Sequence, residues 1–314
     1  MRKIFALVVI FASLSAGIKV VDDDGKTLFT ADINLRGKQG RTFLMYSVRN
    51  PEQVKYLIDS SADVNMADDY GATALIIATA NSAPPETFRL LIDAGADVNL
   101  SADNGATALI TASMLHDDPR VIRILTGAGA NLYAEDSKCR TPLVAALASN
   151  VNPQIAEALI AAGVDVNRKN TQGLTPLMNA ASNFRANFQT VAPLKFLLEH
   201  GADVHARDKR EWTALMFATA NNPNPDVTRA LLEAGSDVNT GDDEGITPLM
   251  WALIGNPIPE IVKLLIDYGA EVGAKSDEGL TALDIAEMKK VGDEIMNILK
   301  QGGINHRDKE RNEN

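Results

Sequence analysis

The sequence predicts an all-α solenoid of about eight stacked helix–turn–helix units joined by β-hairpin-like turns. Three observations predict it. A Thr, followed by Ala, Pro or Phe and then Leu, recurs at Thr42, Thr73, Thr107, Thr141, Thr175, Thr213, Thr247 and Thr281. The spacings are 31, 34, 34, 34, 38, 34 and 34 residues, and self-similarity at such a period marks a repeat array. Aromatic residues are only 5 % of the 314 residues while hydrophobic ones are 46 %, so Ala and Leu must do the packing.

The chain opens on Arg2 and Lys3, an apolar run over residues 4–14, and then Ser15, Ala16 and Gly17. A basic start, an apolar segment and small residues after it describe a secretory signal peptide, residues 1–17. The run is too short to span a bilayer. No Cys follows it, so no lipid attachment is expected, and the mature chain is expected to begin near Gly17 or Ile18. Residues 18–41 carry only the tail of a repeat and are expected to form an irregular N-terminal cap. The array proper then runs over residues 42–304.

Each unit starts with a polar turn. Ten residues before the Thr stands an acidic residue or Asn, as at Asp63, Asp97, Asn131 and Asp165, usually opening an Asp-Val-Asn stretch. Gly stands two residues before the Thr at Gly40, Gly71, Gly105, Gly173, Gly245 and Gly279. Cys139 and Glu211 hold that position in the other two copies. If it requires a positive φ, Glu211 is conformationally strained.

After the Thr, Pro142, Pro176 and Pro248 suit the first turn of a helix, where no amide donor is needed. Leu and Ala follow at helical spacing. Pro51, Pro85, Pro119, Pro153, Pro225 and Pro259 open a second helix, with Asn50, Asp118, Asn152 and Asn224 before them as N-caps. Its apolar stripe is of the kind Ile261, Val262, Leu264, Leu265. It stops at a Gly, such as Gly95, Gly163 or Gly269.

The irregular spacings fall between the helices. The fifth unit is lengthened over residues 183–196 and carries Phe184 and Phe188. Either the loop tolerates length change or the insertion is a second contact site. Asp284, Lys289 and Lys290 make the last unit polar, as a terminal cap requires. Residues 305–314 are polar throughout and are expected to be a disordered tail.

This pattern resembles the ankyrin repeat. The stretch GITPLMWALIGNPIPEIVKLLIDYGAEV, Gly245 to Val272, carries the resemblance most fully, and eight copies in phase extend it from about Asp32 to Ile304. There are two departures. The His that the family places after Thr-Pro-Leu is replaced by Met45, Ile76, Ile110, Val144, Met178, Met216, Met250 and Asp284. Its hydrogen bond should therefore be absent and apolar packing should substitute. The period is mostly 34 residues where the family has about 33.

Chemistry at a catalytic centre is not expected, and neither is a cofactor. His116, His200, His205 and His306 show no metal-ligand spacing, and one Cys cannot complete a zinc site. The Gly127–Ala130 stretch ends a helix and is no phosphate loop. No EF-hand loop exists among the many Asp residues. Cys139 has no His at motif distance. The formal charge of −11 disfavours nucleic acid, whose phosphates need Lys and Arg, and an anionic membrane surface. No later stretch is long and apolar enough to be a membrane helix. Loss of Arg2 and Lys3 with the leader leaves 28 basic against 41 acidic residues, a charge of −13.

The resemblance implies a protein partner, met by the turn tips and the exposed, concave face of the first helices. Here those positions lie four, three and one before the Thr and seven and eight after it. Early tips carry Asp69, Tyr70, Asp103 and Asn104. Middle tips carry Arg168, Lys169, Arg207, Lys209 and Arg210, and late tips Asp242, Asp243, Glu244, Asp277 and Glu278. An acidic–basic–acidic row is compatible with electrostatic selection of a partner. Trp212 and Arg140 stand just before the Thr; Phe217 and Trp251 stand four after it. Trp, Tyr and Arg dominate binding energy where they occur at interfaces, although Phe217 and Trp251 can equally be core. The expected contact residues are Arg140, Arg168, Lys169, Lys209, Arg210 and Trp212, with Phe217, Trp251, Tyr70 and Asp69.

The sequence thus reads as an exported, monomeric, non-enzymatic scaffold, periplasmic or secreted, that binds a protein of unknown identity. Two narrower alternatives stay open: an inhibitor or immunity-like protein occluding an exported enzyme, and an accessory factor of an envelope enzyme, for example in oxidative defence.

Overall fold

The computed structural model describes residues 10–12, 18–21, 27–149, 152–182, 191–255 and 257–312. Most of the expected signal peptide, and Phe184 and Phe188 of the insertion, lie outside these. Three antiparallel strands come first: β1 (Ile10–Ala12), β2 (Ile18–Val21) and β3 (Thr27–Ala31), with Val20 opposite Phe29. They fall across the expected leader and irregular cap. The strand-forming Val20 and Val21 suit β2.

The repeats follow in two compact units, Met1–Val164 and Asp165–Asn314. The first holds the helix pairs α1 (Phe43–Ser47) with α2 (Pro51–Asp59), α3 (Ala74–Ala80) with α4 (Pro85–Asp93), α5 (Ala108–Leu115) with α6 (Pro119–Gly127), and α7 (Pro142–Ser149) with α8 (Pro153–Ala161). The second holds α9 (Pro176–Ser182) with α10 (Ala192–Glu199), α11 (Ala214–Asn221) with α12 (Pro225–Glu233), α13 (Pro248–Gly255) with α14 (Pro259–Asp267), and α15 (Ala282–Lys289) with α16 (Asp293–Asn312). Within each unit the odd-numbered helices pack in one layer and the even-numbered in another, each on its counterpart in the next repeat. Helix α16 continues through Asn312, across most of the stretch expected as a disordered tail. No Gly or Pro follows Gly303 to stop it.

The repeating Thr is the N-cap of the first helix. Its hydroxyl accepts from the amide three residues on, as in Met45 N to Thr42 Oγ1 at 3.4 Å and Ile110 N to Thr107 Oγ1 at 3.3 Å. The expected loss of a reciprocal bond at the family's His position needs correcting in three copies. The amides of Thr42 and Thr175 each meet the thioether of Met45 or Met178 at 3.4 Å. Asp284 accepts from Thr281 N at 2.8 Å and Oγ1 at 2.6 Å, closing a capping box. Sulfur is a weak acceptor, so packing still carries most of the role in the Met copies.

Neighbouring repeats are tied by the Asn of Asp-Val-Asn. Asn65 accepts from Asp97 N at 2.8 Å and donates to Gly95 O at 3.0 Å. Asn99 does the same with Asn131 N at 2.8 Å and Gly129 O at 3.2 Å. Asn167 and Asn239 repeat the device in the second unit with Asp203 and Gly201, and with Glu271 and Gly269. A second tie runs from an inter-helix loop back to the preceding repeat. His116, buried edge-on against Phe88, contacts Ala83 O through Nε2 at 3.1 Å and accepts from Asp118 N through Nδ1 at 3.1 Å. Asn222 makes the equivalent bonds to Ala181 O and from Asn224 N, both at 3.0 Å. The two loops thus give His116 and Asn222 one structural role.

Glu211 has φ 60° and Cys139 φ 56°, in the region their Gly counterparts occupy at 70–87°. The strain expected of Glu211 is therefore present. Replacing Glu211 by Gly should raise stability by roughly 0.5–1 kcal/mol, because a left-handed L-residue costs more than glycine's chain entropy. Urea titration followed at 222 nm tests it, and a drop in stability would show that the exposed pair of Glu211 with Arg207, 3.2 Å apart, outweighs the strain.

Candidate functional site: the turn row and its aromatic cluster

Five of the eight polar turns close on an Asp or Asn side chain five residues before the Thr. Asp208 Oδ1 accepts from Arg210 N and Trp212 N, both at 2.8 Å. Asp242 Oδ1 accepts from Glu244 N at 3.0 Å and Ile246 N at 2.9 Å. Asp68, Asp136 and Asn170 do the same in their turns. The carboxylate is thereby turned inward as part of the backbone. Asp242, expected as one of the acidic tips, belongs to this class. Adjacent turns are stitched by amide-to-carbonyl bonds such as Asp103 N to Tyr70 O at 3.0 Å and Asp277 N to Glu244 O at 3.0 Å.

The expected contact residues divide between the two units. In the first, Tyr70 is 57 % exposed, and Asp69 pairs with Arg36 at 3.0 Å on the surface. Arg140 is occupied: its guanidinium lies 2.6 Å from the Asp136 carboxylate, which is buried. Burial pushes the Asp136 carboxyl up, but the Arg140 guanidinium and the amides of Arg140 and Lys138 outweigh it and hold it below the usual carboxylate range. The contribution of this pair is full above the ordinary Asp pKa of about 3.9. It is lost as the pH falls through the lower folded value.

The second unit brings the remaining residues together. Trp212 is buried, 6 % exposed, and does not stand out from the turn as a contact residue would. Its ring lies 4.3 Å from Trp251 and 5.0 Å from Phe217, which is also buried. Trp251 is half-buried and donates from Nε1 to Asp242 Oδ2 at 2.9 Å. The cluster therefore joins the sixth and seventh repeats through two first helices, α11 and α13, and two turns. Arg210 lies outside it, exposed, with its guanidinium carbon 4.4 Å from the Trp212 ring centroid. That is cation–π distance.

The other cations lace the fifth and sixth turns. Lys169 Nζ donates to Arg207 O at 2.7 Å and Lys209 Nζ to Thr171 O at 3.1 Å. Arg207 reaches Gly241 O at 3.3 Å. Arg168, Lys169 and Lys209 are exposed. Neither Arg207 as a tie nor Asp242 as the Trp251 acceptor is legible in the sequence. The signal that was available is at the position before the Thr: Leu174, Ile246 and Leu280 share it with Trp212, which marks it as facing a neighbour.

Among the described residues no group of His, Cys, Asp and Glu could hold a metal ion, and no helix is long and apolar enough to cross a membrane. None of the curated proteins matches the chain. A sequence model of ankyrin repeats in three copies matches residues 18–102, 81–170, 145–242 and 215–310. Those matches span the whole array, and with the Thr-capped helix pairs and stitched turns in register with them, the chain belongs to the ankyrin-repeat family, whose repeats generally serve as protein–protein interaction modules.

Proposed function

We infer that this chain is an exported, monomeric, non-enzymatic scaffold that binds another protein through the turn row of its second unit. The observation that carries the reading is Arg210, an exposed Arg placed over a packed aromatic cluster in the same row of turns as Lys169 and Lys209. Arg on a pre-organised support is what interface energetics favour. The export half of the reading rests on the basic, apolar and small-residue pattern of residues 1–17, and periplasm is favoured over release from the cell.

Affinity purification of the tagged chain from its own compartment, followed by mass spectrometry, tests it. A partner should be recovered with the parent chain and lost with the double variant Lys209→Ala, Arg210→Ala, whose helical circular dichroism should be unchanged. Recovery of the same partner by the double variant would place the interface elsewhere. Trp212 is unsuitable for this test because its loss perturbs the fold.

A further inference from the structure

Among the described residues, Arg210 is the one cation of the middle turns that is both exposed and placed over an aromatic ring. Its backbone is anchored twice: the amide donates to Asp208 at 2.8 Å, and the carbonyl accepts from Asp243 N at 3.3 Å. Its guanidinium carbon lies over the Trp212 ring, 4.4 Å from the centroid, and Trp212 itself packs against Phe217 and Trp251. Among the described residues no acceptor meets its N–H groups. A guanidinium over a ring and without an acceptor has its planar fork of donors left for a ligand, and that fork matches a carboxylate with two parallel hydrogen bonds.

The surroundings narrow the ligand. Lys169 and Lys209 each spend one N–H on a neighbouring carbonyl. Among the described residues neither is paired with a carboxylate, and each is tethered by that one bond. Arg207 is matched by Glu211 at 3.2 Å. On the following turn Asp243 and Glu244 are exposed, and the chain as a whole carries −11. A dense polyanion such as nucleic acid would meet this repulsion along its length. A short acidic segment would meet three cations and end before the acidic turn.

We propose that Arg210, displayed on the Trp212 face, receives a carboxylate from a short acidic segment of the partner protein, with Lys169 and Lys209 taking the neighbouring carboxylates. This rests on the reading of the turn row as an interaction surface and adds the chemistry of its partner.

Isothermal titration of the full chain with a Glu-Gly repeat peptide at low salt provides the test, with Gln-Gly and Lys-Gly peptides and oligothymidylate as comparisons. The Glu-Gly peptide should bind and the Gln-Gly and Lys-Gly peptides should not. Arg210→Gln should weaken binding by about tenfold or more, as loss of a charge-assisted bidentate bond does. Arg210→Lys should recover only part of it, since charge returns without the fork. The thermal melt of both variants should match the parent, because the Arg210 side chain is exposed. Three results would each overturn the proposal: no heat with the Glu-Gly peptide, equal affinity in Arg210→Gln, or tighter binding of oligothymidylate. If a partner purified from the native compartment still binds Arg210→Gln, this proposal fails while the scaffold reading survives.

Discussion

Trp212→Ala lowers the stability of the chain by about 3–5 kcal/mol, the usual cost of truncating a buried Trp to Ala. The side chain is 6 % exposed and touches Phe217 in its own repeat and Trp251 in the next. Removing it leaves a cavity between α11 and α13, exposes one face of Trp251 and takes the support from under Arg210. In a stacked array each repeat buries its apolar face only against its neighbours, so the loss is felt at the junction and not within one repeat. Trp212→Phe keeps part of the apolar mass and should recover part of the loss. Urea unfolding followed at 222 nm measures both. A loss below about 1 kcal/mol for Trp212→Ala would mean that the site collapses freely and that the cluster is not a structural joint.

Gly255→Ala is expected to cost about 2–3 kcal/mol, in the range of overpacking a well-packed interface. The expectation runs against helix propensity, which favours Ala over Gly by about 1 kcal/mol in a helix interior. Gly255 closes α13, and a Cβ there would overlap the backbone of α11: the carbonyl oxygen of Ala220, with its carbonyl carbon at 2.8 Å and its Cα at 2.9 Å. Backbone atoms cannot swing away, so the sixth and seventh repeats must separate or tilt. Gly127, the last residue of α6, is the control, because a Cβ there meets nothing within 4 Å. Gly127→Ala should be neutral or mildly stabilising. If both substitutions move the urea midpoint by the same amount in the same direction, close helix approach at Gly255 is not what sets the spacing of these repeats.

The helix pairs were legible because Thr, Pro and Gly at fixed offsets each answer a local demand. Thr42 and its counterparts cap a helix, Pro51 and its counterparts open one, and Gly95 ends one at φ 90°. The strain at Glu211 followed from the same comparison of copies. Two kinds of feature did not follow. Side-chain direction within a turn depends on which amides are unpaired in three dimensions, so Asp242 read as a surface charge although it closes its turn and receives the Trp251 N–H. Close approach between helices depends on the neighbour's backbone, so nothing at Gly255 distinguishes it in sequence from Asn221 or Leu115 at the same offset. Of the expected contact residues, Trp212 and Phe217 proved buried and Arg140 occupied. Arg210, Lys169 and Lys209 stand at the surface on supports that the sequence did not disclose. The terminal strands and the extension of α16 lie beyond the repeat, where no sibling copies exist to compare.

Both tryptophans of the chain sit in that one aromatic cluster. Indole emission therefore watches a single joint of the stack, between the sixth and seventh repeats, and is blind to the rest. Far-ultraviolet dichroism sums over every helix. In an array held by nearest-neighbour interfaces the ends can unravel while the interior stays closed. The two optical signals then part company during denaturation without any misfolded species. Agreement between them, usually taken as the sign of all-or-none unfolding, would here say something more specific: that the joint at Trp212 and Trp251 yields together with the outermost repeats.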